Sequence, residues 1–221
     1  MNGFAQPQAV LFDLDGTLAD SAPDLVAALA TLCTEIGAPD PDAARVSSVV
    51  SAGGCAILRR GLPEVDEATV ERLLPRYLEL YAARGNVSTR LYDGIDDMLR
   101  GLELRGIAWG IVTNKAGWLA QPMVDHLRLG GRCKALVAGD TLAQRKPDPA
   151  PVLHACALIG VDPSRTIFVG DDLRDIESGR AAGTRTIAAA WGYLNGGDPY
   201  TWGADGVVET TSALPRALHP V

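Results

Sequence analysis

Five short, nearly unbroken apolar runs punctuate the chain. Ala9–Phe12, Ile107–Val112 and Thr166–Val169 are the strongest, and Ala135–Ala138 and Thr186–Ala189 are weaker. Continuous rather than alternating apolarity is what a strand needs when a parallel sheet is covered on both faces. Between the later runs the apolar positions recur at helical spacing, over Ile95–Leu104, Trp118–Leu129, Pro151–Ile159 and Leu173–Ala182. Strands alternating with helices predict an α/β fold on a doubly wound parallel sheet.

The first interval breaks this rhythm. From Asp13 to Gly106 the chain is far longer than a βαβ crossover requires. It carries helical patterns over Pro23–Ile36, Ala43–Val50, Cys55–Arg60 and Glu67–Ala83, with Pro39, Pro41 and Pro63 in the gaps where helices stop. This predicts a small α-helical domain, residues 22–90, inserted after the first strand and standing on the open end of the sheet. Residues 1–21 and 91–221 then form the α/β core.

Four polar signatures fall at or just after predicted strand ends, where open α/β sheets bind ligands. In Asp13-Leu14-Asp15-Gly16-Thr17 the two acids project to one side of an extended segment. Such close carboxylates repel unless a cation or a shared proton separates their roles, which suits a nucleophile beside a general acid/base. Helix capping is the plain alternative. A calcium loop is excluded, because Thr17 and Leu18 stand where an acid and a glycine are needed. Thr113 and Asn114 offer uncharged donors for a phosphoryl oxygen. Lys146 precedes Pro147, which stiffens its delivery. Asp171, Asp172 and Asp175 crowd the start of a helix; the helix dipole accounts comfortably for one acid, and Mg²⁺ for the rest.

Composition narrows the classes further. The net charge of −7 argues against a general nucleic-acid binder. Neither GxxxxGK[ST] nor GxGxxG occurs. The four cysteines, Cys33, Cys55, Cys133 and Cys156, lack metal-ligand spacing and read as reduced thiols. No run is long enough to span a membrane, and the first residues carry no signal pattern, so a soluble cytoplasmic protein, monomer or homodimer, is expected. His126, His154 and His219 pair with no nucleophile, and Trp109, Trp191 and Trp202 read as packing residues. A phosphorylatable receiver domain shares strand-end acids and a lysine, but this chain is longer and its insert follows the first motif directly.

In order and over nearly the whole chain, the four signatures resemble the haloacid dehalogenase superfamily of phosphatases, and the insert resembles that family's helical cap. The resemblance implies a Mg²⁺-dependent phosphomonoesterase acting on a small phosphate ester through a phospho-aspartate. Asp13 would be the nucleophile and Asp15 the acid/base, with Thr113, Asn114 and Lys146 on the phosphate. Mg²⁺ would be held by Asp13, the Asp15 carbonyl and Asp171, with Asp172 and Asp175 behind them. "LFDLDGTLADSAPDL", "WGIVTNK" and "RKPDP" are similar to the phosphoglycolate phosphatase group, to which the reading leans. "FVGDDLRDIESGRAAGTRT" with "WGY" and "WGAD" also resembles bacterial N-acetylmuramic acid 6-phosphate phosphatases, and a sugar phosphomutase is a more remote alternative. Substrate choice is expected from the insert, through Gly53, Gly54, Arg59 or Arg60.

Overall fold

The computed structural model describes residues 6–218. The chain begins with β1 (Ala9–Phe12) and β2 (Ala19–Asp20), then four helices: α1 (Ala22–Ile36), α2 (Ala43–Ser47), α3 (Gly54–Gly61) and α4 (Glu67–Arg84). It returns through β3 (Arg90–Leu91), α5 (Ile95–Leu104), β4 (Ala108–Val112), α6 (Gly117–His126), β5 (Leu136–Val137) and α7 (Ala150–Ile159). It ends with β6 (Thr166–Gly170), α8 (Leu173–Ala182), β7 (Arg185–Ala189), β8 (Gly206–Val208) and α9 (Leu214–Ala217). His219 lies outside the described residues.

Six strands form one sheet in the order β5-β4-β1-β6-β7-β8, and every neighbouring pair is parallel. The chain winds outward from β1 through β4 to β5, then returns to the other side of β1 and winds outward again through β6, β7 and β8. The winding direction therefore reverses at β1, and the crevice at its carboxyl end is where such sheets take ligands. All four residues of β1 are solvent-inaccessible, which explains why its sequence does not alternate.

Several boundaries differ from the sequence pattern for local reasons. α6 stops at His126 instead of Leu129, because Arg128 adopts φ +58° and the Leu129 N–H turns back to Val124 O at 2.9 Å. α2 stops at Ser47, and residues 50–52 form a separate 3-10 turn. β8 went unanticipated because Gly206-Val207-Val208 is too short to carry a pattern; it pairs with β7 at the sheet edge.

The passages into and out of the four-helix insert pair with each other. β2 and β3 form an antiparallel ribbon with Ala19 opposite Leu91 and Asp20 opposite Arg90. Next to it, fully buried Asp24 of α1 accepts from Arg84 Nε (2.9 Å), the N–H groups of Ser88 (2.8 Å) and Thr89 (2.7 Å), and Thr89 Oγ1 (2.8 Å). Burial pushes the Asp24 carboxyl up, but the bonds from Thr89, Arg84 and Ser88 outweigh it and hold the group below its ordinary value. In the insert Leu29, Leu32, Ile57, Leu58, Val70 and Tyr77 are all buried, in an apolar cluster continuous with Phe12, Leu14 and Leu18 of the core.

Candidate active site

The three central strands each end on a polar residue. Asp13, Thr113 and Asp171 are the first residues beyond β1, β4 and β6, and the ladder continues through them: Asp13 N–H donates to Val169 O and Thr113 N–H to Val137 O, each at 2.9 Å. Parallel register thus places these side chains side by side at the mouth of the crevice. All three are buried.

After Asp13 the chain must turn at once. Gly16 does so with φ +85°, and a Cβ there would lie 2.2 Å from Asp171 Oδ2. Only glycine satisfies both the left-handed backbone and the close approach. The turn brings Thr17 Oγ1 to donate to Asp171 Oδ1 at 2.8 Å.

Lys146 balances part of this negative charge. Its ammonium lies 2.8 Å from Asp13 Oδ1 and 2.7 Å from Asp175 Oδ1, and it donates to Val112 O at 2.8 Å. Burial disfavours the charged amine, but the Asp13 and Asp175 carboxylates outweigh burial and keep it protonated above the usual lysine value. Asn114, expected at the phosphate, spends its side chain on the lysine loop. Its Nδ2 donates to Lys146 O at 3.0 Å, and its Oδ1 accepts from Lys146 N–H at 3.1 Å. The side chain thus ties the lysine loop to the end of β4, and the residue also lines the cavity described below.

Asp13, Asp171 and Asp175 each offer a carboxylate oxygen, all within 4.8 Å of one another. Burial raises Asp171 to about 7, with the Asp13 charge adding to it and bonds from Thr17, Tyr193 and Ser51 opposing. Burial likewise raises Asp175, against the pull of Lys146. Three buried carboxylates against one ammonium make an all-oxygen donor set that fits a small hard cation. The Asp15 carbonyl faces the same spot, since Ser51 Oγ reaches both Asp15 O (3.2 Å) and Asp171 Oδ2 (2.9 Å). Asp172 caps α8 and pairs with Arg174 Nε at 2.7 Å, and it also lines the same cavity.

Asp15 is engaged differently from Asp13. Ser21 Oγ donates to it, and Lys115 Nζ lies 3.1 Å from Oδ1 and 3.3 Å from Oδ2. Two neighbouring carboxylates therefore have separate lysines, one each from the loops after β4 and β5.

The insert closes over these groups. The turn at residues 50–52 is fastened to the core by Ser51 Oγ as above, by Arg174 donating to Ser51 O at 2.8 Å, and by Ala52 N–H donating to Asn195 Oδ1 at 3.1 Å. Between insert and core lies a cavity of about 580 Å³, with Asp13, Asp15, Thr113, Lys115 and Lys146 on its floor and Leu25, Ile57, Leu74, Tyr77, Leu78 and Tyr81 on its wall. Gly53 and Gly54 line it; Arg59 and Arg60 do not. α3 turns Ile57 and Leu58 inward, which leaves both arginines exposed, and Arg59 pairs with Glu67.

Sequence reasoning missed Ser21, Ser51, Lys115, Arg174 and Asn195. Lys115 and Arg174 sat inside the motifs, and Ser51 inside the insert stretch before Gly53-Gly54, without spacing of their own; Asn195 had no signal at all. Trp191 packs as expected and also donates from its indole to Thr17 O at 3.1 Å. His126 and His154 lie off the cavity.

The chain matches the model of a family described as haloacid dehalogenase-like hydrolase over residues 10–189. It is 47% identical over 209 residues to a phosphoglycolate phosphatase of Xanthomonas campestris pv. campestris (strain 8004), covering 94% of this chain and 95% of that one. It is 44% identical over 217 residues to an N-acetylmuramic acid 6-phosphate phosphatase of Pseudomonas aeruginosa, covering 96% of each. The crystal structure of a predicted phosphoglycolate phosphatase from Haemophilus somnus 129pt has the same fold, with a TM-score of 0.86 at 24% identity over 97% of this chain and 99% of that one. No helix among the described residues is long and apolar enough to cross a membrane.

Proposed function

The chain belongs to the haloacid dehalogenase-like hydrolases and is a phosphatase of that family; we propose that it hydrolyses a carboxylated sugar phosphate, N-acetylmuramic acid 6-phosphate, through a phosphorylated Asp13. The observation that carries the substrate is the cavity. At about 580 Å³, with leucine, isoleucine and tyrosine walls, it falls within the range of about 300–1,000 Å³ that holds drug-sized ligands. A two-carbon acid phosphate would leave most of that space to water and would bury little of the apolar wall. A pyranose ring with its substituents fills it.

Each residue has a place in the reaction. Asp13 attacks phosphorus, displacing the sugar alkoxide; Lys146, 2.8 Å from Asp13, faces the developing charge on the transferring group. The Thr113 hydroxyl binds a phosphoryl oxygen, and Asn114 holds the Lys146 loop for this purpose. Asp15 protonates the leaving oxygen and then accepts a proton from the water that cleaves the acyl phosphate. Mg²⁺ would be held by Asp13, Asp171 and the Asp15 carbonyl, with Asp175 also in reach, and would supply charge neutralisation at the phosphoryl oxygens. Residues 22–90 act as the cap, excluding water when the insert seats on the core.

A second reading, 2-phosphoglycolate, is favoured by the name of the Xanthomonas relative. Parallel kcat/KM measurements with Mg²⁺ separate the two. The proposal expects N-acetylmuramic acid 6-phosphate to exceed 2-phosphoglycolate by about 10-fold or more, the weight of roughly two methylenes of apolar contact. The reverse order gives the substrate to phosphoglycolate.

A further inference from the structure

Most of the cavity wall contributed by the insert is apolar, but it carries one buried hydroxyl that has no partner among the described residues. Tyr81 on α4 is 3% exposed, and its buried hydroxyl finds no hydrogen-bond acceptor in the protein. Tyr77, one turn earlier on the same face, shows the ordinary solution: its hydroxyl donates to Leu25 O at 3.1 Å. Buried phenols seldom go without an acceptor. Beside the Tyr81 ring, 4.6 Å from its centroid, is the ammonium of Lys115. That ammonium is itself buried, and its contacts at 3.1 and 3.3 Å run to the two oxygens of a single carboxylate, Asp15. An ammonium has three donors, so capacity remains on its cavity side.

The two groups come from opposite parts of the molecule, Tyr81 from the helical insert and Lys115 from the loop after β4, and both line the cavity. Together they present donors, one of them cationic, where the apolar wall of the insert meets the charged floor of the core. The complement of such a pair is an anionic acceptor, and with the phosphoryl group placed at Asp13 and Lys146, a carboxylate on the rest of the substrate is the acceptor that suits it. Burial raises the Tyr81 phenol above its ordinary value, with Lys115 opposing, so the hydroxyl remains a donor at neutral pH.

We propose that Tyr81 and Lys115 form the pole that receives a carboxylate on the leaving-group portion of the substrate, the phenol donating to one oxygen and the ammonium to the other. The inference rests on the phosphatase reading above and adds a chemical requirement to it. The phosphoryl half of the substrate is read by the core alone; the acidic tail is read by one residue from each side of the cavity. An ester lacking the acid leaves the Tyr81 hydroxyl unpaired even when the cap is seated, and that is the source of discrimination.

The test uses matched pairs of esters: N-acetylmuramic acid 6-phosphate against N-acetylglucosamine 6-phosphate, which lacks the lactyl carboxylate, and 2-phosphoglycolate against ethyl phosphate. The wild-type protein should prefer the acidic member. In Tyr81→Phe, which keeps the ring and its packing, the acid-to-neutral ratio of kcat/KM should fall about 10-fold, the weight of one charge-assisted hydrogen bond. Lys115→Met should lower the ratio further. Calorimetric binding of N-acetylmuramic acid against N-acetylglucosamine reads the same pole without turnover, and the preference for the acid should vanish in Tyr81→Phe. A ratio and a binding preference unchanged in Tyr81→Phe overturn the inference. Failure of the phosphatase reading looks different: the wild-type protein then cleaves none of the esters, while the calorimetric comparison still decides the pole.

Discussion

Ser51, in the helical insert, donates a 2.9 Å hydrogen bond to Asp171, at the end of a core strand. The same hydroxyl reaches the Asp15 carbonyl at 3.2 Å. A single side chain of the insert thus touches two of the groups proposed to hold the metal, so seating of the insert and order in the acidic cluster are linked through one atom. Ser51→Ala should lower kcat/KM by about 10-fold, the effect expected for losing a hydrogen bond to a charged partner. The Mg²⁺ concentration giving half-maximal activity should change with it. Wild-type kinetics and wild-type Mg²⁺ dependence in this variant would remove Ser51 from the account.

The neck of the insert depends on Asp24. Its carboxylate takes four hydrogen bonds from Arg84, Ser88 and Thr89, and its folded value is depressed. A depressed carboxyl contributes stability that is present above its unfolded value of about 3.9 and is lost as pH falls through the lower, folded value. Asp24→Ala leaves buried donors unpaired and should cost about 2–3 kcal/mol at neutral pH, or about 4–12 °C in Tm for a chain of this size. The difference from wild type should narrow in melts taken below about pH 4. A constant difference across that range would mean that Asp24 acts through packing and not through its charge.

The acidic cluster makes an opposite pH prediction. Asp171, raised to about 7, and Asp175, also raised, bind more protons in the folded state than in the unfolded one between about pH 4 and pH 7. The cation-free protein should therefore lose stability as pH rises through that window. Mg²⁺ must displace those protons, so its stabilising effect should be greater near pH 8 than near pH 5.5. Thermal melts with Mg²⁺ and with chelator at both pH values check this. An equal shift at both would place the metal away from Asp171.

The parts of this molecule legible in the sequence are those that lie next to a strand in the chain. Asp13, Thr113 and Asp171 could be read because each directly follows an apolar run, and parallel register then brings strand ends together whatever the intervening loops do. The neck ribbon was not legible, because Ala19–Asp20 and Arg90–Leu91 are two residues each and acquire meaning only when paired. Asn114 read as a phosphate ligand because amides are generic donors; its further tie to the Lys146 backbone is set by how the loops after β4 and β5 meet. Lys115 reaches Asp15 because the loops after β4 and β1 meet in the core, whereas Ser51 reaches Asp171 and Tyr81 reaches Lys115 through packing of the insert on the core, relationships no local pattern encodes. Arg59 and Arg60 drew attention as charges near two glycines, yet a helix has one buried face, and Ile57 and Leu58 occupy it.

The central claim is that Asp13 becomes covalently phosphorylated. Borohydride reduces an acyl phosphate, so quenching the protein during turnover of N-acetylmuramic acid 6-phosphate and reducing it should convert residue 13 to homoserine, readable by peptide mass spectrometry. The account predicts conversion at position 13 that requires substrate and is absent in Asp13→Asn, whose turnover should also be abolished because the nucleophile is removed. Substrate-dependent conversion at another acid, or full turnover by Asp13→Asn in a chain verified to retain asparagine, would contradict it.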